Sequence, residues 1–180
     1  MPYYLGFDSS TQSLTAQIIE AGGDVATLVW ESSLNFERDF PQYGTSHGVL
    51  PSSDPRVAEA PPDMWADALD TMMARVAASG MDLSRIAAIS GSAQQHGTVY
   101  LGESGFTRAE SPIWLDASTS TECAEITDAL GGPTCATQLT GSRVFERFAG
   151  PQIRKFWKSR PDDYARTRRI HLISSFLCSE

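Results

Sequence analysis

Three short segments at the start of the chain constrain its fold more than anything that follows. Residues 3–7 form an apolar and aromatic run, residues 14–20 alternate so that Leu14, Ala16 and Ile18 share one side, and residues 25–34 are rich in strand formers. The links between them are brief. One reads Asp8-Ser9-Ser10-Thr11-Gln12 and the other Ala21-Gly22-Gly23-Asp24, and both have turn chemistry suited to antiparallel hairpins. The segments therefore read as a three-strand antiparallel meander.

A helix and a further strand turn that meander into a mixed sheet. Over 63–79, Trp65, Leu69, Met72 and Val76 fall at helical spacing, with Pro61 and Pro62 just before the start and Gly80 after the end. Residues 85–90, carrying Ile86, Ala87, Ala88 and Ile89, read as a buried strand that runs into Gly91. A strand that follows a helix adds in parallel to the sheet, so the fold class is α/β, a mixed sheet flanked by helices.

Between the meander and the helix, residues 35–62 hold Pro41, Gly44, Gly48, Pro51, Pro55, Pro61 and Pro62 and show no sustained period. A loop of this length inside a domain is either a binding segment or a mobile excursion. Downstream, 97–101 and 112–115 read as short strands. Helices are expected over 119–130, 134–139, 151–159 and 161–167, and a last strand over 170–173. The residues after it end without cap, turn or polar tail, so the chain is expected to stop inside an element.

With 41% hydrophobic and 20% charged residues, a chain of 180 residues can bury a core. No apolar run approaches the length of a bilayer span, and the first residues lack the basic and apolar regions of a signal peptide. A cytoplasmic location is the resulting expectation. Cys123, Cys135 and Cys178 are far apart and read as buried thiols, and His47, His96 and His171 lack the spacing that would set two nitrogens on one metal. The net charge of -8 is uneven: residues 143–180 carry nine basic and four acidic side chains. Arg154, Lys155, Lys158, Arg160, Arg166, Arg168 and Arg169 read as solvated helix faces in an acidic protein, so neither nucleic acid nor membrane is expected as a partner.

Three stretches bear chemistry. Asp8 ends a strand and is followed by hydroxyl residues in a tight turn, which can aim donors at phosphate oxygens while the carboxylate orients a hydrated magnesium ion. The same residues also describe an ordinary hairpin. Gln94-Gln95-His96-Gly97 emerges from the end of an apolar strand, where ligands of open α/β sheets sit, and its amide and imidazole groups both donate and accept. Arg143 and Arg147 flank Phe145 in a segment where a guanidinium fork facing a cleft can fix a hydroxyl; composition alone describes a surface loop equally well.

Taken together and in order, Asp8-Ser9-Ser10-Thr11-Gln12, Phe36-Glu37-Arg38-Asp39-Phe40-Pro41 with Tyr43-Gly44-Thr45, Gln94-Gln95-His96-Gly97, Pro112-Ile113-Trp114-Leu115-Asp116-Ala117-Ser118-Thr119, and Thr140-Gly141-Ser142-Arg143 with Glu146-Arg147-Phe148 resemble the xylulose kinases, the animal-like branch of the FGGY carbohydrate kinases. The likeness spans nearly all of residues 3–176. It implies a ribonuclease-H-like, actin-like ATPase lobe, with residues 1–180 forming an incomplete N-terminal lobe and a second, ATP-binding lobe lying outside them. It implies Asp8 as the phosphate-loop acid near magnesium, acting through water, with Ser10, Thr11 and Gln12 around the transferred phosphate. Gln95, His96 and Arg147 are implied contacts of D-xylulose, and ATP and magnesium are the implied cofactors. The family's general-base aspartate belongs to a later Gly-rich segment that residues 1–180 do not contain, so the fragment alone is expected to be inactive. Ser10 stands where many relatives have Gly, and Ser118 and Thr119 where many have Arg; the animal-like branch shares both changes. Two other readings stay open here: a kinase for another ketose or polyol, and a stand-alone sugar-binding module. A homodimer that covers an exposed cleft-facing side is a further expectation.

Overall fold

A computed structural model describes residues 1–179. In chain order the elements are β1 (Tyr3–Ser9), β2 (Ser13–Gly22), β3 (Val25–Asn35), α1 (Phe36–Asp39), β4 (Glu59–Ala60), α2 (Pro62–Ala77), β5 (Ile86–Ala93), β6 (Thr98–Leu101), β7 (Ser111–Pro112), α3 (Ser120–Ala129), α4 (Pro133–Thr140), α5 (Ala149–Ser159), α6 (Pro161–Arg166), β8 (Arg169–Leu172) and α7 (Ile173–Leu177). The chain divides into two compact units. One comprises Met1–Pro51, Pro61–Gln94 and the residues from Leu177; the other comprises Ser52–Ala60 and Gln95–Phe176.

The first unit is built on a four-stranded sheet of order β3-β2-β1-β5. The meander forms as the sequence pattern predicts, with β1 and β3 both antiparallel to β2, and β5 joins β1 in parallel. Alternation decides which face is covered. Tyr3 and Leu5 of β1 and Leu14, Ala16 and Ile18 of β2 are buried, while Tyr4 and Gly6 between them are exposed. Helix α2 packs on β2 and β3, and Arg75 ties its last turn to the Ser33 carbonyl at 3.0 Å.

The buried stripe of α2 is Met64, Trp65, Ala68, Met72 and Val76, with Leu69 only half-buried, so the face is turned slightly from the one the sequence suggests. Full burial of a side chain such as Met72 contributes roughly 1.5–3 kcal/mol. Gly80, just past the helix end, takes a left-handed φ of 75°, a backbone conformation that favours glycine. Strand β5 departs from expectation. It extends to Ala93, and its six central residues are exposed rather than buried, Ile89 at 59%.

In the second unit β6 pairs antiparallel with β8, and β4 pairs antiparallel with β7. The core gathers Val99, Tyr100, Ile113, Phe156, Ile173 and Phe176, with the Tyr100 and Phe156 rings 4.4 Å apart. Residues 112–115 do not form a full strand. Only Ser111 and Pro112 pair, and the chain then turns, because Asp116 withdraws into the interior and captures its neighbours while Trp114 and Leu115 face solvent. Residues 170–173 are likewise divided: Ile173 already starts α7. Cys123 is buried as expected, whereas Cys135 and Cys178 are exposed.

The basic stretch beyond residue 142 meets acids. Arg154 and Lys158 of α5 reach Glu125, and Lys158 also reaches Glu122; Arg160 meets Glu110, Arg166 meets Asp163 and Arg168 meets Glu103. Most of these pairs are solvent-screened and add little to stability. Their local consequence is that these cations face carboxylates of their own chain. No helix among the described residues is long and apolar enough to cross a membrane.

Candidate functional site

In the first unit, the Asp8 carboxylate stands where strand pairing ends. Parallel register sets Asp8 opposite Ser92, and the Ser92 hydroxyl donates to Asp8 Oδ1 at 2.5 Å. Asp8 is exposed, its neighbour Ser9 is buried, and the Ser9 carbonyl accepts from Gln94 N at 2.9 Å. The turn that follows is closed by Ser10, whose amide donates to the Ser13 carbonyl at 2.9 Å and whose hydroxyl lies 3.0 Å from that of Ser13. Ser10 thus serves the hairpin first. Thr11 is half-buried and Gln12 exposed, and the Gln12 carbonyl accepts from Phe36 N at 2.9 Å.

This donor set suits a magnesium ion carried in by phosphate. Among the described residues no three His, Cys, Asp or Glu side chains come together as a metal cage. Magnesium is commonly held by one or two carboxylates plus substrate phosphates while keeping several waters, and an exposed Asp8 matches that requirement.

The longer stretch of the second unit opens with Gln95 and His96. Gln95 is exposed, and its carbonyl accepts from Gly97 N at 2.9 Å, which folds the chain tightly around His96. His96 has φ of 67°, a left-handed conformation that costs a non-glycine residue on the order of 1–3 kcal/mol and is often found at functional sites. Its imidazole lies against Phe148, ring centroids 4.8 Å apart. Burial, and then the nearby positive charge of Arg147, lower its pKa from the ordinary histidine value, which favours the neutral imidazole.

Arg147 is exposed and rides over two rings, 5.1 Å from the centroid of Phe145 and 5.9 Å from that of Phe148. Phe145 and Phe148 lie 5.2 Å apart, so one aromatic pair supports both the imidazole and the guanidinium. The backbone beneath is fixed by buried Gln152, whose amide donates to the carbonyls of Arg147 at 3.2 Å and Ile113 at 3.1 Å. Each unit thus gathers its own implied residues: Asp8, Ser10, Thr11 and Gln12 in the first, Gln95, His96 and Arg147 in the second. Sequence reasoning assigned no role to Ser92, Phe145, Phe148 or Gln152. Ser92 was accessible as the polar residue at the end of the strand added beside β1, and the two phenylalanines as the i and i+3 neighbours that bracket Arg147.

Asp116 is not a free acid. It is 3% exposed, accepts from Ala58 N at 3.0 Å through Oδ2, and accepts from the Ser118 amide at 3.1 Å and hydroxyl at 2.7 Å through Oδ1. Its work is to pin the Ser52–Ala60 segment to the turn after β7, where Ala117 N also donates to the Arg56 carbonyl at 2.8 Å.

A mixed sheet in which a parallel strand is added to an antiparallel meander, with a helix packed on it, is the fold class of an actin-like lobe. Residues 3–180 match the FGGY family of carbohydrate kinases, N-terminal domain, and the chain belongs to that family. It is 37% identical to xylulose kinase 2 of Arabidopsis thaliana, over 98% of this chain and 35% of that protein, and 36% identical to the xylulose kinase of Mus musculus, over 97% and 35%. The crystal structure of a xyloylose kinase from Brucella ovis superposes with a TM-score of 0.78 at 24% identity, over 98% of this chain and 33% of that one. The chain thus spans about a third of the length of the curated relatives it matches.

Proposed function

We propose that the protein is an ATP-dependent D-xylulose kinase and that residues 1–180 are its N-terminal lobe. The identity of 36–37% to proteins named xylulose kinases, sustained over 97–98% of this chain, carries the reading. The His96–Phe148–Arg147 cluster supports it. A neutral imidazole and a guanidinium fork on one aromatic support offer the mix of donors and acceptors that a polyhydroxylated ketose needs.

In this proposal Gln95, His96 and Arg147 are sugar contacts, and Asp8, Ser10, Thr11 and Gln12 are phosphate contacts. The terminal hydroxyl of D-xylulose attacks the γ-phosphorus of ATP, the bond to the β–γ bridging oxygen breaks, and ADP leaves. The hydroxyl proton passes to an aspartate outside residues 1–180, which leaves this lobe inactive by itself. Asp8 would hold magnesium through water, and the ion supplies charge neutralisation on the phosphates. Phosphoryl transfer depends on such positioning and electrostatics more than on covalent help from the protein. ATP sits mostly on a second lobe, and the location is cytoplasmic. Isolated residues 1–180 form a homodimer over their exposed apolar surface; a monomer in light scattering refutes that part.

The deciding experiment is an ADP-release assay on the full-length protein with a panel of ketoses and polyols. Turnover on another sugar with none on D-xylulose rejects the substrate assignment. His96→Asn, which keeps a residue tolerant of left-handed backbone while removing the imidazole, is expected to raise the KM for D-xylulose without loss of stability.

A further inference from the structure

The segment just after β3 was expected to be either a binding segment or a mobile excursion. Its first part is neither loose nor open. Phe36 is fully buried, Tyr43 donates its hydroxyl to Asp67 of α2 at 2.6 Å, and Thr45, also buried, donates to Met64 Sδ of α2 at 3.7 Å. Residues 36–49 are therefore a strap pinned to the helix. The strap ends in a tight turn in which Ser46 and Val49 exchange two backbone hydrogen bonds of 2.8 and 3.0 Å. Glu37, at the strap's start, closes the turn from outside by accepting from His47 N at 2.9 Å.

At the tip of this turn Gly48 is buried with φ of 79° and meets the Asp8–Gln12 hairpin backbone to backbone. A β-carbon built there would overlap the Thr11 carbonyl oxygen, lie 2.8 Å from the carbonyl carbon of Thr11 and 3.3 Å from the Gln12 Cα. Phe36 N holds the same hairpin one peptide further on, at the Gln12 carbonyl. The hairpin thus accepts a hydrogen bond at the Gln12 carbonyl and has Gly48 packed closely against the preceding Thr11 carbonyl. Nothing in composition or local pattern marks this contact.

We infer that Gly48, with Glu37 holding its turn closed, is a positioning residue for phosphoryl transfer: the strap sets the conformation of the Asp8–Gln12 turn, and only a residue without a side chain lets it approach. This rests on reading that turn as the phosphate loop. The strap and the hairpin both belong to the first unit, so loosening the grip disturbs the phosphate side of the reaction and leaves Gln95, His96 and Arg147 in place.

The test uses the full-length protein and two variants, Gly48→Ala and Glu37→Ala. Gly48→Ala is expected to lower kcat by about a hundredfold, the scale of a displacement of roughly 1 Å in a positioned group. The Kd for D-xylulose, measured by calorimetry without nucleotide, is expected to stay within about threefold, since sugar contacts and phosphate contacts contribute separately. Glu37→Ala, an exposed change that leaves the packing intact, is expected to lower kcat by about tenfold through loss of a charge-assisted hydrogen bond. In both variants the Phe36 amide, bonded to Gln12, exchanges its hydrogen faster while amides of α2 do not.

Wild-type kcat in Gly48→Ala overturns the inference. So does a parallel loss of sugar affinity and of α2 protection in Glu37→Ala, which would mark the strap as merely structural. Failure of the wild-type protein to release ADP with any ketose or polyol is a different result, and it sinks the reading of the loop itself.

Discussion

His96 rests its imidazole on the ring of Phe148 while Arg147, the residue before Phe148, projects its guanidinium over the same ring. One side chain therefore sets the spacing of the two groups proposed to grip the sugar. An aromatic pair of this kind is worth about 0.5–1.5 kcal/mol beyond its buried area, a factor of roughly three to ten in an equilibrium. Phe148→Leu in the full-length protein is expected to raise the KM for D-xylulose by about that factor while the KM for ATP stays unchanged, as steady-state kinetics with each substrate varied will show.

The same cluster predicts a pH dependence. Burial first, and then Arg147, lower the His96 pKa, so the neutral ring prevails at neutral pH and protonation waits for more acid solution. Folding carries no penalty from this group above the ordinary histidine value. As pH falls from that value to the lowered one, the unfolded chain takes up the proton first and stability declines. Arg147→Met is expected to move the pKa upward only part of the way, because burial remains. A proton NMR titration of the His96 ring checks this, and a pKa that does not move removes Arg147 from the account.

Ser92 and Asp8 make the second testable contact. Ser92→Ala removes the donor to Asp8 Oδ1 and frees the carboxylate to swing. The expected result is a fall in kcat of about tenfold with little change in sugar affinity, since hydrogen bonds to charged groups are worth about 1.5–3 kcal/mol and this one is exposed. Asp8→Asn is expected to cost more, about a hundredfold or greater, and to raise the magnesium concentration needed for half-maximal rate.

Asp116 predicts stability rather than chemistry. Three donors converge on a carboxylate that is almost wholly covered, so Asp116→Ala leaves the Ala58 amide without its acceptor in the interior. A loss of about 3 kcal/mol is expected from urea unfolding, within the range for breaking buried hydrogen bonds to a charge. Near-normal stability would refute this role.

The meander was legible because its alternation is local: Leu14, Ala16 and Ile18 carry the pattern themselves, and the pattern is what buries them. Helix α2 was equally plain in extent but not in phase, since Met64 and Ala68 sit beside the expected stripe and tertiary contact with β2 and β3 chose between them. Strand β5 shows the limit of apolar runs. Ile89 and its alanine neighbours have a composition that favours burial, yet burial needs a covering surface that local sequence does not name. Residues 112–115 failed for another reason: the Asp116 carboxylate competes for backbone amides and bends the chain. Asp8 and His96 stood out as polar groups at strand ends, and the family likeness of their motifs gave them and Arg147 their implied roles. Their supports did not stand out, because Phe148 under His96, Ser92 beside Asp8 and Gly48 against Thr11 are contacts between distant segments.

Strand β5 is hydrogen-bonded on the β1 side, and among the described residues no strand pairs with its other edge. An edge with no strand partner among the described residues, carrying the exposed Ile89, is a template for further strands. Handling residues 1–180 in isolation is therefore expected to invite aggregation, and Ile89→Lys, by setting a charge on that margin, should raise the concentration at which the fragment stays clear.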